Sequence, residues 1–298
     1  MAKKKEPILI DGKLVAAKIK EEIKKEVAEM IDHGEDGPHL AAVLVGDDPA
    51  SETYVSSKEK AAHSVGMISS TYRYPADISE KDLLEVIDYL NADDEIDGFI
   101  VQLPLPAHID ENKVINRISP AKDVDGFTPV NVGNMVLGKP AFLSATPYGI
   151  TELLKHYKIK TEGKHVVVLG RSNIVGRPMS ILLSQKSDLG NATVTVCHSK
   201  TENLADITRS ADILICAIGQ PQFVKGEMVK EGAVVIDVGI HRLGDDTAKK
   251  GYRLVGDVDF HSVYKKASYI TPVPGGVGPM TIAMLLKNTL KAHKKEIY

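Results

Sequence analysis

From residue 165 onward, short apolar strands alternate with helical segments, and this alternation constrains the fold more than any other feature of the chain. The strands are apolar along almost their whole length, and they cover 165–169, 193–197, 212–217 and 234–238. A strand that is apolar on both faces must be covered on both sides of its sheet, which is typical of parallel strands joined by helices. This half of the chain therefore predicts an α/β fold with a Rossmann-like parallel sheet.

The first half of the chain predicts a separate α/β region. Apolar residues at helical spacing indicate helices over 11–33 and 50–65, and short apolar runs at 40–45 and 98–103 indicate buried strands. The second helix has a clear start, since Asp48 suits the N-cap and the proline after it suits the first helical position.

Chain length favours two domains over one. A chain of 298 residues is near the size at which one hydrophobic core stops growing. We expect residues 1–146 to form the first domain and 147–279 the second. We also expect the last helix, within 280–298, to pack back on the first domain.

Charge and cysteine usage exclude several classes of protein. The net charge of −3 gives no global attraction to nucleic acid, and no apolar run approaches the roughly 18 residues of a membrane span. The basic start, Met1 to Pro7, is not followed by the apolar segment of a signal peptide. Cys197 and Cys216 stand alone, so they build no disulfide framework and no zinc site. These features predict a cytoplasmic protein without a bound metal or a nucleic-acid partner.

A glycine-bearing turn follows the strand at 165–169 and runs from Gly170 to Pro178. A turn of this kind between a strand and a helix is where a dinucleotide phosphate sits, because backbone N–H groups and the helix N-terminus face the anion. The spacing matches neither Gly-x-Gly-x-x-Gly nor a P-loop. The turn is therefore a candidate coenzyme site, with simple chain reversal as the alternative.

The end of the next strand bears on which coenzyme would bind. NAD-binding folds usually place an acidic residue there to hold the ribose 2′-hydroxyl, whereas this strand ends in Cys197-His198-Ser199-Lys200-Thr201. Hydroxyls and cations at this position, with Arg171 in the glycine turn, suit a 2′-phosphate. The pattern favours NADP over NAD, and a solvated strand end is the alternative for His198 and Lys200.

A lysine on a helix is the first candidate catalytic residue. Tyr54 and Lys58 are four residues apart and share a helix face, which Ala62 and Val65 continue. A lysine on a partly buried face has a pKa that falls when it is desolvated, and such a lysine transfers protons near neutral pH. The alternative is a core face with a lysine that extends its amine to solvent.

Three polar residues lie where loops and strand ends are expected to meet. Gln102 interrupts an apolar strand near its carboxyl end, where it is placed to hold the Lys58 amine; the alternative is a core glutamine with satisfied hydrogen bonds. Asp123 and Asp125 lie in a loop beside Gly126. A carboxylate there suits the paired N–H groups of an aminopyrimidine, and turn formation is the alternative for either one.

Five motifs occur in an order that resembles one known family. They are Tyr54-Val55-x-x-Lys58, Val101-Gln102-Leu103-Pro104-Leu105-Pro106, Lys122-Asp123-Val124-Asp125-Gly126, Gly170-Arg171-Ser172-x-x-Val175-Gly176-x-Pro178 and Pro272-Val273-Pro274-Gly275-Gly276-Val277-Gly278-Pro279-Met280-Thr281. Together they resemble the bifunctional methylenetetrahydrofolate dehydrogenase/methenyltetrahydrofolate cyclohydrolase family. The match covers about residues 8 to 293, and its last motif is long and specific.

The resemblance implies two reactions in a cleft between a catalytic, folate-binding domain and an NADP-binding domain. Methylenetetrahydrofolate is oxidised with NADP, and the methenyl product is hydrolysed to 10-formyltetrahydrofolate, a step of one-carbon metabolism and purine biosynthesis. The resemblance also implies a homodimer formed through the coenzyme domain. The family's usual Gly-Ile-Asn-Arg is replaced here by Gly239-Ile240-His241-Arg242, and no formate-activating domain is expected in this chain.

Residue roles follow from the same resemblance. Lys58 corresponds to the acid/base, Gln102 to the residue that tunes it, and Tyr54 to a residue that lines and orders the folate site. The other implied substrate-binding residues are Asp125, Pro274, Gly275 and Gly276, the last three in a loop that closes over the folate. The implied coenzyme-binding residues are Gly170, Arg171, Ser172, Ser199 and Ile240.

Three rival interpretations remain open at this point. Short-chain dehydrogenases also carry Tyr-x-x-x-Lys, but there the pair follows the coenzyme glycine loop, whereas here it precedes the loop. A non-enzymatic folate- or NADP-binding protein is expected to lack Lys58 or Gln102, and both are present. A dehydrogenase without the hydrolase step is the third rival, and the intact Tyr54, Lys58 and Gln102 favour the bifunctional enzyme over it.

Overall fold

A computed structural model describes residues 6–248 and 251–298 of the chain, so most of the basic start, Met1 to Lys5, lies outside the described residues. The chain divides into two compact units. The first contains the residues up to Ala16 together with Thr146–Thr281, and the second contains Ala17–Ala145 together with Ile282–Tyr298. No helix in the described part of the chain has the length and apolar character needed to cross a membrane.

The helices and strands alternate along most of the chain. In order they are β1 (Ile8–Leu9), α1 (Gly12–Asp32), β2 (His39–Val45), α2 (Pro49–Ser64), β3 (Ile68–Tyr74), α3 (Glu80–Ala92), β4 (Gly98–Val101), α4 (Glu111–Arg117), α5 (Pro129–Val136), α6 (Ala145–His156), β5 (His165–Leu169), α7 (Gly176–Ser184), β6 (Thr193–Cys197), α8 (Leu204–Arg209), β7 (Ile213–Cys216), β8 (Val234–Asp237), β9 (His241–Gly244), β10 (Tyr252–Val255), α9 (Phe260–Tyr264), β11 (Tyr269–Ile270) and α10 (Val277–His293).

The first unit contains the predicted parallel sheet. Its strand order is β1-β11-β8-β7-β5-β6, and all neighbouring strands are parallel. The apolar strands β7 and β8 are buried along their whole length, as their composition predicted. Because β6 and β7 lie on opposite sides of β5, the chain reverses its direction of travel across the sheet at β5. Open α/β sheets bind ligands at such a reversal, outside the carboxyl ends of the strands.

The second unit is built on a three-stranded parallel sheet with the order β3-β2-β4. The central strand β2 is buried, and its apolar side chains pack with Leu83 and Ile87 of α3 and Phe99 of β4. Strand β3 was not predicted from the sequence. It is an edge strand with a mostly half-exposed, polar sequence, Ile-Ser-Ser-Thr-Tyr-Arg-Tyr, so no apolar pattern marks it.

The observed division of the chain differs from the predicted boundaries at the N-terminal end. We expected residues 1–146 in one domain, but the residues up to Ala16 belong with the Rossmann-like unit. The cause is strand pairing: β1 lies parallel to β11, with Ile8 N–H donating to Ser268 O at 2.8 Å and Ile10 N–H to Ile270 O at 2.9 Å. A two-residue strand carries too little pattern to reveal its partner. At the other end, Ile282–Tyr298 fall in the unit that contains β2 and α2.

A buried asparagine joins α10 to two loops of the second unit. Asn288 is 1% exposed, and its Nδ2 donates to Val124 O at 2.8 Å and to Leu143 O at 3.0 Å. We expect Asn288→Ala to lower the free energy of unfolding by about 2–4 kcal/mol, because it leaves two carbonyl oxygens without their donor. A urea titration of the variant beside Lys24→Ala, which alters an exposed residue of α1, measures this; equal midpoints would contradict the prediction.

Candidate functional site

Helix α2 presents the candidate catalytic lysine. Its start is as predicted: the Asp48 side chain accepts from Ser51 N–H at 2.7 Å, and a proline occupies the first turn. Further along the helix, Ala62 is fully buried and fixes the orientation of the helix against the core. Lys58 lies one turn before it and is half-buried. The helix therefore carries the lysine at the margin of the core rather than in open solvent.

Gln102 holds the Lys58 amine. Strand β4 ends at Val101, not at residue 103 as the apolar run suggested, and the Gln102 N–H still donates to Val43 O at 2.9 Å. The amide Oε1 accepts a hydrogen bond from Lys58 Nζ at 3.1 Å, and its Nε2 donates to Leu103 O at 2.6 Å. The second bond fixes which end of the amide faces the lysine. The Lys58 amine is thus held from one side by an acceptor of known orientation.

Tyr54 is the most exposed residue of the helix face that it shares with Lys58, and the face as a whole is partly buried, as predicted. We expected the face shared by Tyr54, Lys58, Ala62 and Val65 to be at least partly buried. Ala62 and Val65 are buried at 0% and 1% exposure, whereas Tyr54 is 46% exposed. The face is buried only toward the C-terminal end of α2. Its N-terminal end, with Tyr54, is exposed to solvent.

The structure distinguishes the two loop aspartates. The Asp123 carboxylate is 1% exposed and accepts from Phe127 N–H at 3.1 Å, Thr128 N–H at 2.7 Å and Asn131 Nδ2 at 2.9 Å. These bonds hold the loop and the start of α5, so Asp123 is the turn former. Among the described residues, no hydrogen bond is made by the Asp125 carboxyl, which leaves it as the free acceptor.

The electrostatic surroundings of Asp125 connect it to the lysine. Burial raises the pKa of the Asp125 carboxyl, the positive charge of Lys58 lowers it, and the negative charge of Asp123 raises it further. The charge of Lys58 is therefore part of the electrostatic surroundings of Asp125. Lys58 is thus linked to Gln102 by a hydrogen bond and to Asp125 by charge, and Tyr54 lies one helical turn before Lys58.

The implied folate-covering residues lie in the first unit, in the segment that leads into α10. Pro274, Gly275 and Gly276 directly precede the first residue of the helix. The carbonyl oxygen of Gly275 accepts from Lys13 N–H at 3.1 Å, which ties this segment to the start of α1. Both partners belong to the first unit.

The glycine turn after β5 fits a dinucleotide phosphate. Gly170 has φ +131°, and a Cβ there would collide with the carbonyl oxygen of Ala217; a Cβ on Gly176 would collide with the carbonyl oxygen of Gly170. The turn is therefore as tight as backbone atoms allow. The Ser172 hydroxyl accepts from Val175 N–H and Gly176 N–H at 3.2 and 3.3 Å, at the N-terminus of α7. Amide groups and a helix N-terminus at this turn suit an anion.

A cavity of about 260 Å³ opens at the carboxyl ends of β5, β6 and β7. It lies at the chain reversal described above, where an open α/β sheet binds its ligand. Of the implied coenzyme residues, four line the cavity; they are Gly170, Arg171, Ser172 and Ser199. The fifth, Ile240, follows β8, is 46% exposed and is not among the lining residues.

The end of β6 carries the hydroxyl of Ser199 and the amine of Lys200, and residues 197–201 include no acidic side chain that would repel a phosphate. The His198 ring is held in the turn itself, because Lys200 N–H donates to its Nδ1 at 3.1 Å, and Thr201 Oγ1 accepts from His198 N–H at 2.9 Å. Arg171, Ser199 and Lys200 are exposed. His198 is thus partly a turn residue, as the alternative interpretation held, while the three exposed side chains remain available to a phosphate.

Sequence reasoning missed a buried polar network beside this cavity. Asp237 and Asp257 are 4% and 0% exposed, and their carboxylates together accept five hydrogen bonds from backbone N–H groups. The signal was present, because Asp237 ends an apolar strand and Asp257 lies in Gly-Asp-Val-Asp. Among the described residues, no group of histidine, cysteine or acidic side chains is arranged to hold a metal ion.

Two family models match the chain. The model for the tetrahydrofolate dehydrogenase/cyclohydrolase catalytic domain matches residues 10–125, and the model for the NAD(P)-binding domain of the same enzymes matches residues 144–297. The candidate lysine site lies within the first match, and the glycine turn with its cavity lies within the second.

Relatives of the chain match it over nearly its whole length. A Bacteroides fragilis protein named Bifunctional protein FolD is 60% identical over 290 residues, which is 97% of this chain and 99% of the relative. A crystal structure of the Campylobacter jejuni bifunctional enzyme FolD has a TM-score of 0.90 and 51% identity, covering 97% of this chain and 99% of that one. The Trypanosoma brucei dehydrogenase-cyclohydrolase, complexed with NADP cofactor and inhibitor, has a TM-score of 0.92 and 42% identity, covering 98% and 99%.

Proposed function

The chain belongs to the tetrahydrofolate dehydrogenase/cyclohydrolase family, and from this premise we propose the reactions it performs and the residues that perform them. It oxidises 5,10-methylenetetrahydrofolate to 5,10-methenyltetrahydrofolate, with NADP as the hydride acceptor. It then hydrolyses the methenyl cation with one water to 10-formyltetrahydrofolate, and one proton is released. The contact that carries the proposal is the 3.1 Å hydrogen bond from Lys58 Nζ to Gln102 Oε1.

Lys58 is the acid/base of the hydrolysis. Water must lose a proton as it attacks the methenyl carbon, and the ring nitrogen that leaves must gain one. The hydrogen bond from Nζ to Gln102 Oε1 orients the amine, and its deprotonated form has a lone pair that takes the proton of the water. Gln102 positions the amine, and the exposed ring of Tyr54, one turn away, lines and orders the folate site.

Asp125 is the proposed anchor of the pterin ring. A carboxylate accepts two parallel hydrogen bonds from the amino group and the ring N–H of an aminopyrimidine. Asp125 has both oxygens available, whereas Asp123 is engaged by the loop and by Asn131. Pro274, Gly275 and Gly276 are proposed to cover the bound folate.

The glycine turn and its cavity hold the coenzyme. NADP, when bound, supplies the acceptor for the hydride of the first reaction. Gly170 and Ser172 lie where backbone amides and the start of α7 meet a diphosphate. Arg171 and Ser199 are proposed to hold the 2′-phosphate, and Ile240, after β8, is proposed to contact the coenzyme as well.

Arg171→Ala tests the 2′-phosphate role. Losing one charge-assisted hydrogen bond costs roughly 1.5–3 kcal/mol, or about 10- to 150-fold in affinity. We expect the variant to weaken NADP by that factor and to change NAD by less than about threefold, measured by calorimetry with each coenzyme. Arg177→Ala, on the same turn but paired with Asn173, is the matched control. Equal losses for NADP and NAD would remove Arg171 from the 2′-phosphate site.

One assay tests the proposed reactions together. The purified protein is mixed with 5,10-methylenetetrahydrofolate and NADP, and coenzyme reduction is followed beside the rise and decay of the methenyl absorbance. We expect reduction of NADP and a methenyl decay faster than that of the buffer alone. Reduction with methenyl accumulating and decaying only at the buffer rate would indicate a dehydrogenase without the hydrolase.

We also propose that the protein is a cytoplasmic homodimer that acts on folates in one-carbon metabolism. Strand β6 is an outer strand of the six-stranded sheet, and Val196 on it is 38% exposed, so its edge is open to a partner. Cys197 and Cys216 are free and buried, and burial raises the pKa of both thiols, as suits a reducing compartment. Light scattering after gel filtration should give twice the mass of the chain.

A further inference from the structure

His241 makes a specific contact with a buried carboxylate. It is the first residue of β9, and its Nε2 lies 2.8 Å from Asp257 Oδ1. The side chain of His241 is 20% exposed and that of Asp257 is 0% exposed. A buried carboxylate is therefore reached from the protein surface by one imidazole.

The other oxygen of Asp257 holds one wall of the cavity after β7. Asp257 Oδ2 accepts from Ile218 N–H at 2.7 Å and from Gly219 N–H at 3.1 Å. Ile218 and its neighbour Ala217 line the cavity that we assign to the coenzyme. The two oxygens of the Asp257 carboxylate therefore have different partners: Oδ1 contacts His241, and Oδ2 accepts from the backbone of the cavity wall.

Asp237 fixes the position of Asp257. Asp237 Oδ1 accepts from Asp257 N–H at 2.9 Å and from Gly239 N–H at 3.0 Å, and its Oδ2 accepts from Val258 N–H at 3.0 Å. With the backbone held in this way, the side chain of Asp257 is oriented by its own contacts, which are the two amides and His241. Burial raises the pKa of Asp237 to about 7, so comparisons between variants require one fixed pH.

We propose that His241 is a positioning residue for coenzyme binding, which orients the Asp257 carboxylate and through it the Ile218–Gly219 wall of the cavity. The inference rests on the proposed function, in which this cavity takes NADP. The proposed role of His241 is indirect, because it acts through Asp257 and not by contact with the folate or the reacting atoms. Its loss should change coenzyme affinity and leave the hydrolysis step, which uses no coenzyme, unaffected.

The test compares two substitutions of similar size. His241→Phe keeps a ring but removes the donor, whereas His241→Gln keeps an N–H at nearly the same reach. We expect His241→Phe to raise the Kd for NADP by roughly five- to thirtyfold, and His241→Gln to stay within about threefold of the unmodified protein. NADP binding is measured by calorimetry, and KM for NADP should rise in parallel while kcat changes little. His261→Phe, at an exposed histidine of α9, is the matched control.

Hydrolysis of 5,10-methenyltetrahydrofolate serves as the internal measure of folding. We expect both His241 variants to hydrolyse it at the unmodified rate and to keep the KM for methylenetetrahydrofolate. Unchanged NADP affinity in His241→Phe, or equal losses in the Phe and Gln variants, would overturn the proposal. Direct measurement of NADP binding also separates this inference from the proposed function. If the protein binds NADP but oxidises no folate, the proposed function is wrong, while the effect of the His241 variants on NADP affinity still tests the role of His241.

Discussion

Lys58→Met should lose hydrolysis of 5,10-methenyltetrahydrofolate by about 10²–10⁴-fold, which is the usual contribution of a positioned acid/base. Methionine keeps the unbranched, apolar stem and removes the amine that Gln102 holds. Oxidation of methylenetetrahydrofolate needs no protein base, because the nitrogens of the folate stabilise the cation that forms when hydride leaves. Part of the dehydrogenase rate should therefore remain. The two rates are measured on one preparation, by methenyl decay and by NADPH formation.

Lys60→Met is the matched control, since Lys60 lies two residues along the same helix and is exposed. It should leave both rates within about twofold of the unmodified protein. Gln102→Leu should give an intermediate result, because the amine remains but its orienting acceptor is gone. The assignment of Lys58 as the acid/base would be contradicted if Lys58→Met hydrolysed the methenyl cation near the unmodified rate and well above the buffer rate.

Asp125→Ala should lower kcat/KM for both folate substrates by about 10²–10⁴-fold, because two charge-assisted hydrogen bonds at roughly 10- to 150-fold each are removed together. Both activities should fall by similar factors, since both use the same bound pterin. That result separates Asp125 from Lys58, whose loss is selective. Asp36→Ala, at an exposed loop position of the same unit, is the control. If calorimetry showed unchanged folate binding in Asp125→Ala, the pterin-binding role would be contradicted and Asp125 would be interpreted as a turn residue.

The pH dependence of kcat/KM offers a second measurement on Asp125. In the proposed role, the ionised form of Asp125 accepts the pterin hydrogen bonds, so folate binding should be lost as pH falls through its pKa. Burial raises that pKa, against the opposing charge of Lys58, so the acid limb should lie above the ordinary range of an aspartate. In Asp125→Asn this limb should be missing from the profile. An identical acid limb in the variant would assign it to another group.

Much of the architecture could be predicted from the sequence because it depends on local pattern. Burial on both faces accounts for the apolar strands β5, β7 and β8, and turn chemistry accounts for the helix start near Pro49 with its cap at Asp48. Strand β6 was also expected to be buried on both faces, but it is an outer strand and is largely half-exposed. Local pattern also indicated Lys58 on a helix face, Gln102 at a strand end and the glycine turn at 170–178. The family resemblance alone implied Ile240 and the segment 274–276. The edge strand β3 was missed because a half-exposed, polar strand has no such pattern.

The sequence by itself determined the apolar strands and amphipathic helices, the parallel sheet of the first unit and the family, because those depend on periodicity and on motif order. Only the tertiary structure distinguished between candidate site residues that the local sequence pattern treats alike. Asp123 and Asp125 lie in one loop, yet only Asp123 is engaged by Asn131 and the amides before α5. Likewise β1 joins β11 across most of the chain length, and His241 meets Asp257. The physical reason is that a hydrogen bond or strand partner distant in sequence leaves no periodic trace, and its choice depends on the packing of the whole unit.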